Sequence, residues 1–294
     1  MTSPRRSAHR AILPIALLVA ACSGAVGPSG IAPSASPGPT DTPVGTIAHP
    51  DGPTDVILRL EEGGGFVPFG FLLTQAPEFT LYGDGTAIVR NERQDPLPDS
   101  GGVARMHPFR TVQLAEADIQ ALLSFALVQG GLGSARPHYE HNQVADAPSA
   151  VFTIDADGAR KVVEVYALGI DGAPALDVEA RRAFMDLADR LRSLAADPQF
   201  ATAAYQPQGY RAVLSEGFEG NPERPWPWPA IAPDAFGPAN PNGPFLLQRV
   251  LSPAEVAAIG VEGFEGGLLN AMLRGTDGTL YALSTRPLLP EEAE

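Results

Sequence analysis

Apolar residues along this chain fall mostly into short runs broken by turn residues, with two longer stretches at helical spacing. The run at 56–60 (Val56, Ile57, Leu58, Leu60) predicts a strand. Phe79-Thr80-Leu81-Tyr82 and Thr86-Ala87-Ile88-Val89 flank Gly83-Asp84-Gly85, which reads as a hairpin. Two more hairpins are predicted, 151–154 with 162–166 around Asp155-Ala156-Asp157-Gly158, and 268–274 with 280–285 around Thr276-Asp277-Gly278. A further strand is expected at 210–214.

Helical spacing appears first at 114–128, where Leu114, Ile119, Leu122, Leu123 and Phe125 are apolar and Glu116 and Asp118 suit the positive N-terminal end. Gly130-Gly131 should terminate that helix. Ala180, Phe184, Leu187, Leu191 and Leu194 recur at four-three-four-three spacing, with Asp177 placed to cap and Asp197-Pro198 placed to stop the helix. Arg181, Arg182, Asp186, Asp189, Arg190 and Arg192 read as its solvated face. Ser252-Pro253-Ala254-Glu255 is a capping box with proline at the first helical position, opening a third helix that should run to about Gly260.

Proline-rich passages at 95–108 and 222–244 read as loops. The expected fold class is therefore α+β, antiparallel hairpins with at least three helices packed on the sheets, in units spanning 55–200 and 205–294. The stretches 114–119 and 251–256 are alike, and each precedes a Gly-Gly-Leu (130–132, 266–268), which suggests an internal duplication.

The amino end changes the picture. Arg5, Arg6 and Arg10 precede an apolar stretch at 11–18, closed by Val19-Ala20-Ala21-Cys22. That order describes a secretory signal over 1–21, and the stretch is too short for a helix that needs ~20 residues to span a bilayer. Val19-Ala20-Ala21-Cys22 resembles the lipobox of bacterial lipoproteins. The resemblance implies an acylated Cys22 as the mature N-terminus and a lipid-anchored chain on the extracytoplasmic face of the cell membrane. Residues 22–54, rich in Ser, Gly, Ala, Pro and Thr, read as a disordered tether with a reach of ~30 Å.

Composition narrows the function. Cys22 is the only cysteine, so an acylated Cys22 leaves the folded part without thiol chemistry. The formal charge is −14 over 294 residues, and it becomes more negative once the signal arginines are lost. Nucleic acid is excluded as a partner, because phosphate binding depends on clustered cations. Lys161 is the sole lysine among 20 basic residues, the usage of a GC-rich coding sequence.

Several groups of residues suggest chemistry. His138-Tyr139-Glu140-His141 offers metal-ligand types, though in a loop that sets no fixed bite, and exposed loop histidines are the expectation. Glu61-Glu62-Gly63-Gly64-Gly65-Phe66-Val67-Pro68-Phe69 lacks the lysine of a phosphate loop. It is either a mobile binding loop or a glycine hinge returning Phe66, Val67, Phe69 and Phe71 to the core, and the core is the expectation. Pro225-Trp226-Pro227-Trp228-Pro229 either stacks on a ligand or closes a core edge. Asp155-Ala156-Asp157-Gly158 lacks the later calcium ligands and reads as a turn. No nucleophile signature occurs, and no cofactor is expected.

Gly64-Gly65-Phe66-Val67-Pro68, the run from Pro77-Glu78-Phe79-Thr80 through Gly85-Thr86, Val144-Ala145-Asp146-Ala147-Pro148 and Arg286-Pro287-Leu288-Leu289-Pro290 resemble segments of uncharacterised secreted or lipid-anchored proteins of high-GC bacteria. That resemblance implies an extracytoplasmic location and a single architecture, and carries no activity. The expected function is a non-catalytic binding or interaction protein of the cell envelope. It would contact an envelope protein, peptide or glycan through Phe66, Phe69, Trp226 and Trp228. The alternatives are an envelope hydrolase using carboxylates or a His138/His141 metal site, and an inhibitor of a secreted enzyme.

Overall fold

Strand formation follows the alternation of apolar and polar residues, and the cross-strand rows show it directly. The computed structural model describes residues 45–67, 69–91, 97–170, 177–238 and 246–293, which belong to one compact unit, Gly45–Glu294. The expected signal, Cys22 and the tether up to residue 44 lie outside the described residues. Residues 45–54 also fall in the expected tether, and they are held against the fold. The Ile47 amide donates to Gln120 at 2.8 Å, and the Asp157 amide donates to the Ala48 carbonyl at 2.6 Å.

In chain order the elements begin with β1 (Val56–Gly64), α1 (Phe69–Leu73), β2 (Phe79–Tyr82), β3 (Thr86–Val89), β4 (Leu97–Ser100), β5 (Val103–Arg105) and β6 (Arg110–Gln113). Next come α2 (Glu116–Leu127), β7 (His138–Tyr139), β8 (Pro148–Ala156), β9 (Ala159–Tyr166), α3 (Val178–Ser193), β10 (Thr202–Ala204) and β11 (Tyr210–Glu216). The rest are β12 (Glu223–Pro225), β13 (Gly237–Pro238), β14 (Leu247–Leu251), α4 (Pro253–Ala257), β15 (Leu268–Leu269), β16 (Ala271–Arg274) and β17 (Leu280–Pro287).

The first sheet has eight strands in the order β10-β6-β3-β2-β1-β8-β9-β7, all antiparallel except the β7–β9 pair. Its register lines up Val163, Phe152, Leu60, Phe79 and Val89 in one row, and Ile154, Leu58, Leu81, Ala87 and Val112 in another. Because strand side chains alternate between faces, both rows lie on one face. They form the largest core with Ile119, Leu122, Leu123 and Ala126 of α2 and Phe184, Leu187, Ala188 and Leu191 of α3. The row between them, Arg59, Thr80 and Ile88, occupies the opposite face. There Tyr82 and Ile88 pack with Ala76, Phe109 and Leu289. The β8–β9 turn has positive φ at both Asp157 (55°) and Gly158 (74°), as a two-residue hairpin turn matched to strand twist requires.

The second sheet runs β12-β16-β17-β11-β14-β13 around Tyr210, Ala212, Leu214, Leu251, Leu273 and Leu283. A third sheet, β15-β5-β4, joins the two halves of the chain: Leu269 pairs with Ala104, and Val103 is buried in the second core.

The α+β expectation is corrected. The fold is β-rich, with sheets of eight, six and three strands, and among the described residues two of the four α-helices are only five residues long. The passages at 95–108 and 222–244 were expected to be loops, yet they contribute β4, β5, β12 and β13. Prolines mislead there because β4, β12 and β13 are all edge strands, where a residue without an N–H breaks no ladder on the outer side. The capping box at Ser252 and Glu255 forms, but its helix stops at Ala257. Asp177 does not cap α3; its φ is 58° and its carboxylate accepts from Arg136 at 2.5 Å.

Arg181 is also not solvated. It is buried and donates to the carbonyls of Tyr139, Glu140 and Tyr166, and burial pulls its guanidinium below the usual arginine value. The duplication fails on topology. In the first half the leading strand of the last hairpin, β8, pairs with the half's first strand β1, whereas in the second half the trailing strand β17 pairs with β11.

Candidate binding cleft

The residues singled out from sequence do not converge. Trp228 is 4 % exposed and donates through Nε1 to the Glu255 carbonyl at 2.8 Å. Trp226 is half-buried, packs edge-on against Trp228 with centroids 5.0 Å apart, and donates to the Ile231 carbonyl at 2.5 Å. With both indole N–H groups satisfied internally and the rings packed edge-on or tilted against Phe236 and Tyr281, the pair closes the second core. Trp228 is therefore a core residue and not a contact residue.

Phe66 shows the opposite outcome. It is 92 % exposed, Val67 is exposed beside it, and Phe71 is 49 % exposed, so the expected return of this loop to the core does not occur for these residues. Phe69 opens α1, and its side chain lies outside the described residues. β1 continues through the first glycines to Gly64. The Phe66 amide then donates to the Asp146 carbonyl at 3.3 Å, which holds the turn while the ring projects.

His138 is exposed on β7, with Nδ1 3.3 Å from Glu164 Oε2. His141 is buried; its Nδ1 accepts from the Gln143 amide at 3.4 Å, and its Nε2 has no partner. One imidazole meets solvent and the other is enclosed. Among the described residues no group of three or more His, Cys, Asp or Glu side chains could hold a metal ion.

A cleft that no sequence motif announced lies where the three sheets meet. It encloses about 600 Å³ including its open mouth. α1 supplies Phe71 and the residues after it supply Thr74, Gln75 and Ala76; Arg90 and Asn91 follow β3. The β5–β6 connection adds Met106, His107 and Phe109, and the second half adds Gly266, Leu269, Thr285 and Arg286. The wall depends on Gly266: a Cβ there would lie inside van der Waals distance of the Met106 and His107 carbonyl oxygens. Thr285 fixes the other side, its hydroxyl accepting from the Leu268 amide at 2.9 Å.

Two ion clusters flank the cleft. In the first, Glu78, 3 % exposed, accepts from Arg90 at 2.8 Å and from Arg192 Nε, while Arg192 Nη2 reaches Glu62 at 3.1 Å. Burial, and then the neighbouring Glu78 charge, push the Glu62 carboxyl above the ordinary carboxylate range. In the second, Arg286 donates Nη1 and Nη2 to the two oxygens of Glu292, each at 2.6 Å, and Arg211 adds a contact at 3.3 Å. Burial opposes the Glu292 charge, but the Arg286 hydrogen bonds and the Leu289 amide hold its carboxyl below the ordinary value.

The adjacent Glu291 binds Arg59 and accepts from the Tyr82 hydroxyl at 2.5 Å. Tyr205 donates to the Leu288 carbonyl at 2.8 Å, and burial followed by the charges of Glu291 and Glu292 pushes its hydroxyl up to about 12. The C-terminal residues thus clasp the first sheet to the second.

Chemically, the cleft offers apolar walls, guanidinium and imidazole groups, and hydroxyl and amide donors. Its lining contains no carboxylate among the described residues. A carboxylate acid–base pair for hydrolysis is therefore not assembled there. Arg90 was not singled out from sequence, and Arg286 entered only within the segment Arg286-Pro287-Leu288-Leu289-Pro290, with no role given to it. No family model, curated protein or solved structure matches this chain.

Proposed function

We propose that this chain is a lipid-anchored protein of the extracytoplasmic membrane face that binds a partner non-catalytically, with the cleft and its adjoining aromatic loop as the contact region. The observation that carries the binding reading is the exposure of Phe66 and Phe71, the latter on the cleft wall. Burying a phenylalanine side chain is worth about 1.5–3 kcal/mol; Phe66 gains little of it within the chain and Phe71 only part. The anchor rests on the lipobox-like Val19-Ala20-Ala21-Cys22.

The test uses the full chain in a high-GC bacterial host. Labelling with a palmitate analogue should mark the wild type and not Cys22→Ser. A photo-crosslinking residue at position 66 should yield a discrete envelope adduct that the same residue at Val128, an exposed apolar position on α2's C-terminal side, does not. Identical adduct patterns at the two positions would overturn the binding reading, and equal labelling of Cys22→Ser would overturn the anchor.

A further inference from the structure

We infer that the Phe66 loop stands at the end of the first sheet opposite the chain's point of attachment, and that it meets a protein held off the membrane, through an apolar pocket on that protein, and not the bilayer. This rests on the anchor and contact region proposed above, and adds which way the contact region faces and what it meets.

The register of the first sheet sets the two ends. β1 and β8 pair from Leu58 with Ile154 to Gly64 with Pro148. Beyond the Ile154 end, the Asp157 amide in the β8–β9 turn donates to the Ala48 carbonyl at 2.6 Å. The Gln120 side chain of α2 binds both the amide and the carbonyl of Ile47, at 2.8 and 2.9 Å. Gly45, from which the chain leads back to Cys22, belongs to this end. Beyond the Pro148 end, the Phe66 amide donates to the Asp146 carbonyl at 3.3 Å, and Phe66 and Val67 are exposed. The nine residues of β8 lie between the two ends, about 30 Å at a rise of ~3.4 Å per residue. A fold joined to a lipid from the Ala48 end therefore presents Phe66 and Val67 on its far side.

Charge around the loop argues against the bilayer independently. Segments that settle into an anionic membrane surround their apolar residues with Lys and Arg. Neither 60–75 nor 142–150, the two stretches that meet at Phe66, contains either residue. Glu62 is paired with Arg192, whereas Glu61 and Asp146 have no ion pair among the described residues. In a chain of formal charge −14, anionic headgroups repel such a rim. Phe66 and Val67 carry no hydroxyl or indole N–H to offer a sugar. The surface that complements them is an apolar protein pocket with cations at its edge.

The experiment uses the full chain, acylated in its host and placed in vesicles of phosphatidylethanolamine and phosphatidylglycerol that carry a headgroup energy acceptor. A donor dye is attached at Ala48→Cys or at Val67→Cys; with Cys22 acylated, each variant has one free thiol. Energy transfer should be at least twofold weaker from position 67 than from position 48. The unacylated Cys22→Ser chain, spun with the same vesicles, should stay in the supernatant. A photo-crosslinking residue at position 66 in the native host should give an adduct that contains peptides of a second protein. Equal or stronger transfer from position 67, or sedimentation of the Cys22→Ser chain, overturns the inference and leaves the loop as a contact region. An adduct at position 66 made with lipid or glycan in place of protein overturns it in the same way. Absence of any adduct specific to position 66 overturns this inference together with the binding reading.

Discussion

Replacing Glu292 by alanine removes four hydrogen bonds at once: two from Arg286 at 2.6 Å, one from Arg211 at 3.3 Å and one from the Leu289 amide at 3.0 Å. The cost is set by what remains. Arg286 stays buried with its charge uncompensated and its Nε already without a partner. Removing one member of a buried ion pair destabilises by about 3–5 kcal/mol. Glu292 is itself about one-fifth exposed, so solvent screens part of that, and the expected loss is about 3 kcal/mol. For a fold of this size that corresponds to a fall in Tm of roughly 6–12 °C.

Urea unfolding followed by circular dichroism measures the loss, with Glu219→Ala as the control. Glu219 is largely exposed and 3.9 Å from Arg274, so its removal should cost under about 0.5 kcal/mol. The pH dependence has a definite sign. The Glu292 carboxyl is held below its ordinary value in the folded state, so its contribution is present above the unfolded value near 4.5 and is lost as pH falls through the folded value. Wild type and variant should converge in acid. A Glu292→Ala loss below about 1 kcal/mol at pH 7, or a gap that stays constant down to pH 3, would refute the C-terminal clasp.

Glu62 should behave in the opposite way. Its carboxyl is raised by burial and by Glu78, so its ionisation disfavours the folded state as pH rises above 4.5, and Glu62→Gln should leave stability at pH 7 equal or higher while flattening its slope above pH 4.5; denaturation midpoints from pH 4.5 upwards decide it. Trp228→Ala should destabilise by about 3–5 kcal/mol through a cavity in the second core, whereas Phe66→Ser should stay within about 0.5 kcal/mol, since its ring touches mainly solvent. Reversal of those two in a urea titration would exchange their assigned places.

Local signals were legible where one short segment carries all the information. The hairpin at Gly83-Asp84-Gly85 and the apolar stripe of α3 needed no distant partner to be read. Edge strands were not legible, because a two- or three-residue strand such as β12 or β13 exists only through the strand it pairs with. Burial of polar groups failed for the same reason. Nothing local distinguishes Arg181 from Arg182, yet one reaches the backbone carbonyls of Tyr139 on β7, Glu140 just after it and Tyr166 on β9, and the other stays in solvent. The aromatic segments misled in both directions. Trp-Pro alternation suggested display, but the indole N–H groups found carbonyls within the same fold, while the phenylalanine after the glycine run found no apolar neighbours to cover it.

The cleft was out of reach of motif reading for a topological reason. Its wall residues come from five separated stretches between Phe71 and Arg286, and two structural links bring them together. One is the pairing of β5 with β15, which carries Met106 and His107 to Gly266 and Leu269. The other is the clasp of Glu291 on the first sheet and Glu292 on Arg286, which holds Arg286 at the cleft wall. Arg286 therefore serves the clasp and the cleft wall together: Nη1 and Nη2 hold the chain end while the side chain lines the cleft. Neither half of the chain contains both sides of this arrangement, so the cleft forms only when the two sheets are joined.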